Sequence, residues 1–283
     1  MSEDSRPLGG LPPANRTLLV RQPLELAIAE IRFSASTFEV TADIGLRFRE
    51  KLAELGVATA RIEPMHQQRV SVNVQAGVPP TPQVEAGTQG WLLVSADNAY
   101  QITVMPGAVV FQTVKYQRWS VTFRPRLEAI FKTIQELLEP VFVSRIGLRY
   151  VDRFVDQWAT TPEIWVGRLN EHFLGPICEP RIGGMVKGAQ QQVELQLGEA
   201  QGALLRHGPF VDAANGGALS YLLDIDVFDS EPNRFDPSEL IERAEVLNRT
   251  AASLFQIVIA PEYLTELQAD QAVADEATDG TVV

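Results

Sequence analysis

The chain has 283 residues, with hydrophobic residues at 45% and charged residues at 21%, enough apolar side chains for one large or two ordinary buried cores. Its formal net charge is -12 and its pI about 4.8, so the mean field repels a polyanion and argues against nucleic-acid binding. No apolar run approaches the roughly 20 residues a membrane-spanning helix needs, and a single cysteine, Cys178, offers no intramolecular disulfide, which fits a reducing cytoplasm.

Residues 1–21, rich in proline and glycine, read as a flexible or contact-ordered arm, and the polar, acidic start carries no apolar core of a signal peptide. Residues 26–35 read as a strand. A helix follows, with Asp43 as its cap, Ile44, Phe48, Leu52 and Leu55 along one stripe, and Gly56 as its stop. Alternation of Val70, Val72 and Val74 with Ser71 and Asn73 predicts a half-buried strand over 69–75. The prolines and glycines from Gly77 to Gly90 predict an exposed loop. Residues 91–104 and 108–116 read as a hairpin turning at Met105-Pro106-Gly107. A long amphipathic helix is expected over 119–139, with Pro125 either kinking it or marking its first turn.

The order then repeats. A strand over 142–155 is followed by a helix over 161–174 opened by Pro162, by strands over 186–197, 203–210 and 218–228, and by a last helix opened at Asp236-Pro237-Ser238-Glu239. The acidic residues concentrate late: from Asp224 to Asp279 there are fourteen, against Arg234, Arg243 and Arg249. The segment from Gln268 to the end, rich in Ala, Asp and Glu, reads as a disordered acidic tail.

Leu26-Ala27-Ile28-Ala29-Glu30-Ile31-Arg32-Phe33 is echoed by Ser144-Arg145-Ile146-Gly147-Leu148-Arg149-Tyr150-Val151. The expected fold is therefore α+β: two tandem β-α-β-β-β-α units, 22–140 and 141–267, forming antiparallel sheets with helices on one face. Fused into one sheet, such units would resemble the saddle of the TATA-binding-protein fold or a helix-grip module, an analogy of fold alone.

A closer resemblance rests on Gln22-Pro23-Leu24-Glu25 running into Ala29-Glu30-Ile31-Arg32-Phe33, on Gly90-Trp91-Leu92-Leu93-Val94-Ser95-Ala96-Asp97, on Lys115-Tyr116-Gln117-Arg118-Trp119 and on Arg145-Ile146-Gly147-Leu148-Arg149-Tyr150. Together these resemble a sporadically distributed bacterial family of uncharacterised function, over residues 22–265. The resemblance implies a soluble bacterial protein and an accessory role, such as a phage-defence or toxin-associated module, and assigns no catalytic residue.

Chemistry-bearing motifs are sparse. His66, His172 and His207 lie far apart with no second ligand at metal spacing, Gly183-Gly184 lacks the ending of a phosphate-binding loop, and no nucleophile elbow occurs. No cofactor is implied. The polar signal lies on strands. Arg145, Arg149 and Arg153 are spaced to share one face of a strand, Arg32 takes the place of Arg149 in the first repeat, and Asp224 and Asp226 share a face opposite Leu223, Ile225 and Val227. These groups either recognise a carboxylate, phosphate or peptide backbone on an open sheet, or pair with one another across strands. Trp91, Tyr116 and Trp119, with Tyr100 and Phe123, either line a binding groove or pack hairpin against helix. The expected function is a non-enzymatic cytoplasmic binding or assembly protein, holding a protein partner or a second copy of itself on a sheet face or edge. The alternative is a small-molecule binding protein or enzyme with a cavity between the sheet and the long helix.

Overall fold

The computed structural model describes residues 6–34, 40–73, 81–156 and 160–269, with the backbone alone at 66–73 and 81–89. Among the described residues there are ten strands: β1 (Leu24–Phe33), β2 (Arg61–Asn73), β3 (Thr81–Val94), β4 (Tyr100–Met105), β5 (Ala108–Thr113), β6 (Phe142–Phe154), β7 (Gln191–Gln196), β8 (Gln201–Val211), β9 (Leu219–Asp229) and β10 (Asn233–Arg234). Four helices accompany them: α1 (Ala42–Glu54), α2 (Arg124–Leu137), α3 (Pro237–Val258) and α4 (Pro261–Gln268). The strands pair antiparallel in the order β2-β3-β4-β5-β1-β6-β9-β8-β7, with β10 beside the start of β6. The fold is α+β, as expected.

The chain divides into two compact units. The first is Ile28–Ile146 with Glu231–Glu242, and the second is Met1–Ala27, Gly147–Ser230 and Arg243–Val283. Against the sequence division at 140/141, the boundary falls inside β6, and the units exchange short segments of chain.

In the first unit one sheet face is apolar. Ala29, Ile31, Ile102, Val104, Val109 and Phe111 are buried at alternate positions, and α1 and α2 cover them with Phe48, Leu52, Leu127, Ile130, Phe131 and Ile134. Thr41, not Asp43, caps α1, its hydroxyl accepting from the Ile44 amide at 3.3 Å. Gly45 lies mid-helix because a Cβ there would stand 2.8 Å from the Trp91 ring. The expected helix over 119–139 is shorter: a π-helical turn, Trp119–Phe123, precedes α2, and Pro125 occupies its first turn, where its missing N–H costs nothing.

Four strands follow α1 where three were expected. Residues 81–90, expected as loop, are the first part of β3 and pair with β2 throughout, from Asn73↔Thr81 to Met65↔Gly90. Gly90 is required by close approach, since a Cβ would meet the Val104 carbonyl at 2.3 Å. The expected 91–104 strand is broken at a tight turn built on Asp97. Its carboxylate accepts from Ser95 Oγ at 2.9 Å and the Ala99 amide at 3.1 Å, and Asn98 turns at φ 55°. Side-chain bonds of this kind compete successfully with strand pairing.

In the second unit the helix expected over 161–174 is absent. Short 3-10 turns stand there instead, at Pro162–Trp165, Glu171–Phe173, Gly175–Cys178 and Gly183–Met185. Gly167 at φ 83° and Gly175 at φ 55° end each turn, and the Asn170 side chain accepts from the His172 amide, which caps a new turn where a helix would have continued. These turns still bury Trp165, Leu169, Leu174 and Ile177. Of the two cap candidates at the start of α3, Asp236 and Ser238, it is Asp236 that caps, accepting from the amides of Ser238 at 2.8 Å and Glu239 at 3.0 Å.

Residues 6–21 run along α3 and α4. The Leu8 amide donates to Thr250 Oγ1 at 2.9 Å, Asn15 and Gln256 exchange two hydrogen bonds, and the Arg21 amide donates to the Leu267 carbonyl at 3.0 Å. This is the contact-ordered form of the arm. Gln268, expected as the start of the tail, is the last residue of α4, and residues 270–283 lie outside the described residues, as do 74–80 of the expected loop.

Candidate functional site

Along β6, Ile146, Leu148, Tyr150 and Phe154 are buried, which sets Arg145, Arg149 and Arg153 on the opposite face. In the second unit α3 and the 3-10 turns cover the apolar face. Phe154 stacks on Phe255 with ring centroids 6.2 Å apart, the Tyr150 hydroxyl donates to Asn248 Oδ1 at 3.1 Å, and Trp165 packs 5.8 Å from Tyr221. The other face carries the polar residues.

Arg149 makes a forked pair with Asp224, Nε to Oδ1 at 2.7 Å and Nη2 to Oδ2 at 2.8 Å, the geometry a planar guanidinium suits best. Arg206 Nη1 reaches the same carboxylate at 3.2 Å. The Asp224 side chain is 4% exposed, whereas Arg149 and Arg206 are 43% and 40% exposed. One buried carboxylate therefore anchors two arginines whose outer edges remain in water. Arg206 stands directly opposite Asp224 in the β8–β9 ladder, so register creates this triad.

Arg153 forms a second cluster. It donates to Asp212 Oδ2 at 2.6 Å and to Glu25 Oε1 at 2.7 Å, and Ser220 Oγ donates to Asp212 at 2.6 Å. Burial pushes the Asp212 carboxyl up, but the Ser220 hydroxyl and the Arg153 guanidinium outweigh it, and the carboxyl lies below its ordinary value. Val151 and Leu222 lie between the clusters along their strands and Leu204 lies beyond Arg206, all part-exposed on the same parity as the charged residues. Asp226 lies on this face opposite Leu204.

In the first unit, Arg145 donates to Glu30 Oε2 at 2.6 Å, and Arg32 lies 3.1 Å from Glu30 Oε1. Ion pairing therefore accounts for Arg145, Arg149, Arg153 and Asp224 between strands, and for Arg32 within β1. The aromatic candidates serve packing. Trp119 is buried with its ring 5.7 Å from Phe123, the Tyr116 ring stands 5.5 Å from Phe123, and the Trp91 indole donates to the Val40 carbonyl at 3.2 Å. Between α2 and the sheet is an apolar void of about 10 Å³, lined by Ala29, Ile31, Phe111, Leu127, Ile130 and Phe131 among others, room for one water at most.

Sequence reasoning passed over Arg206, Asp212, Ser220, Glu25 and Glu30, the partners of the arginines. It also passed over Asp152, whose place among Leu148, Tyr150 and Phe154 puts a carboxyl at a core position of β6. Asp152 is 4% exposed. Burial, with the Asp224 charge adding to it, pushes its pKa up to about 8. His207 is fully buried, its Nδ1 2.8 Å from the Tyr221 hydroxyl, and burial lowers its pKa, so the ring is neutral at pH 7.

Among the described residues no group of three His, Cys, Asp or Glu side chains is placed to hold a metal ion, and no helix is long and apolar enough to cross a membrane. No family model and no curated protein matches this chain.

Proposed function

We propose that the chain is a non-enzymatic cytoplasmic binding protein that holds a protein partner on the polar sheet face of the second unit. One observation carries this reading. The face opposite α3 bears part-exposed Val151, Leu204 and Leu222 among arginines already fixed by buried carboxylates. Arginines held in place lose little side-chain entropy on contact, and an apolar centre ringed by charge is the usual composition of a recognition patch. Affinity capture from the host cell with wild type and Leu222→Glu tests it. A partner retained by wild type and lost by the folded variant is the expected result, and equal capture by both defeats the reading.

The same proposal includes a tandem duplication of the saddle or helix-grip kind. The strand order β3-β4-β5-β1 followed by β6-β9-β8-β7 reads the same from either end once β1 is matched to β6, which supports this reading, and the proposal pairs Arg32 with Arg149. Membership of the resembled bacterial family, with its accessory role, belongs with this proposal. The alternative of a ligand cavity under α2 is not favoured, because the void there admits nothing larger than a water.

A further inference from the structure

The outermost strand of the second unit is β7, which pairs with β8 from Gln191↔His207 to Gln196↔Gly202 and, among the described residues, with no other strand. A strand so placed leaves the N–H and C=O groups of every second residue aimed away from its one partner. Its ends are occupied. The Gln191 side chain donates to the Phe173 carbonyl at 3.1 Å, and a Cβ on Gly9 would meet Leu197 at 2.9 Å. The stretch between them, Gln192 to Gln196, has neither proline nor lysine, the residues that most often blunt an edge.

Glu194 is exposed at the centre of this stretch, and its one hydrogen bond comes from the neutral Gln192 amide at 3.3 Å. On the other face of the strand, Val193 and Leu195 are half-buried. The edge thus offers main-chain hydrogen bonds, a shallow apolar side and one carboxylate with no cation paired to it among the described residues. A second copy of the chain fits poorly. Two-fold antiparallel pairing of β7 with itself brings the two Glu194 carboxylates opposite or diagonal to each other, between molecules each carrying a formal charge of -12.

We infer that the β7 edge takes an extended peptide segment that adds as a strand and places a lysine or arginine opposite Glu194. This rests on reading the protein as a partner-holding module, and it gives that partner a chemistry: a strand-forming, basic segment with apolar residues alternating around the cation. Main-chain pairing supplies the affinity and the Glu194 position supplies the choice.

The test uses the full chain and two capped peptides, acetyl-Thr-Val-Lys-Val-Thr-Val-amide and its twin with glutamate in place of lysine, titrated by fluorescence anisotropy. The lysine peptide is expected to bind at least about fivefold more tightly than the glutamate peptide, from the contrast between opposite and like charges across a strand pair. Glu194→Lys is expected to invert that preference with the fold intact by circular dichroism. Equal binding of the two peptides, no binding of either, or a preference that survives Glu194→Lys overturns the inference. Host-partner capture that Leu222→Glu abolishes, alongside failed peptide binding, removes the edge and leaves the sheet face standing.

Discussion

Arg145 and Arg149 leave the same strand four residues apart, and both meet a carboxylate at hydrogen-bond distance. They differ in what lies behind the carboxylate. Asp224, under Arg149, is 4% exposed and shared with Arg206, whereas Glu30, under Arg145, is 23% exposed and shared with Arg32 at the surface. A buried anion cannot fall back on water when its cation is removed, but a surface anion can. Identical side chains at equivalent spacing thus meet different partners: Arg149, itself 43% exposed, holds a carboxylate that is 4% exposed, and Arg145, itself 18% exposed, holds one that is 23% exposed. The two cores differ in the same sense. The first unit buries the hydroxyls of Ser95, Thr113 and Thr133, whereas the second unit buries the ionisable Asp152 and His207 together with Asn248.

The sharpest way to break this comparison is to strip Asp224 of both arginines. Arg149→Ala with Arg206→Ala leaves a carboxylate uncompensated in the sheet, and urea denaturation should show a loss of about 3–5 kcal/mol. Arg149→Ala alone should cost less, about 1–3 kcal/mol, because Arg206 remains and the Arg149 side chain is itself half in water. A loss below about 0.5 kcal/mol for the double variant would make Asp224 a surface anion like Glu30.

Asp152 supplies a contrast in pH. Its pKa is raised to about 8 by burial, against an unfolded value near 4. The folded state therefore holds the proton more tightly, and the stability it confers is present below about pH 4 and lost as pH rises toward about 8. Asp152→Asn should abolish that loss and gain about 2 kcal/mol over wild type at pH 9, with little difference near pH 4. A wild-type stability that does not fall between pH 6 and pH 9 would place this carboxyl in water.

The smallest effects are expected in the first unit. Arg145→Ala should cost about 0.5–1 kcal/mol and Arg32→Ala under about 0.5 kcal/mol, both diminishing in high salt. Either change exceeding that of Arg149→Ala would reverse the comparison.

What was legible in the sequence follows from periodicity. Alternation in 142–154 and 219–229 set the arginines, Asp224 and Asp226 on one side and the core on the other, and the structure keeps that division except at Asp152, which stands on the core side. Helices with an unbroken apolar stripe were legible for the same reason. The helix expected over 161–174 failed because Trp165, Leu169 and Phe173 keep helical spacing, while Gly167 and Gly175 adopt left-handed backbone that ends each turn. The β3 strand was hidden because its glycines and prolines, which usually mark loops, are tolerated where only β2 lies alongside and where Gly90 must approach the Val104 carbonyl. Partners were illegible for another reason. That Arg206 would stand opposite Asp224 depends on the register of β8 on β9, which no spacing within either strand reveals.

The central claim is that the uncovered face of the second unit holds a protein partner, and affinity capture from the host cell with quantitative mass spectrometry tests it most directly. Wild type and Leu222→Glu would be compared at matched thermal stability. The account predicts at least one protein enriched by wild type and reduced about tenfold or more by the variant, since a charge buried at an interface core costs that much. The same set of proteins captured equally by both would contradict it.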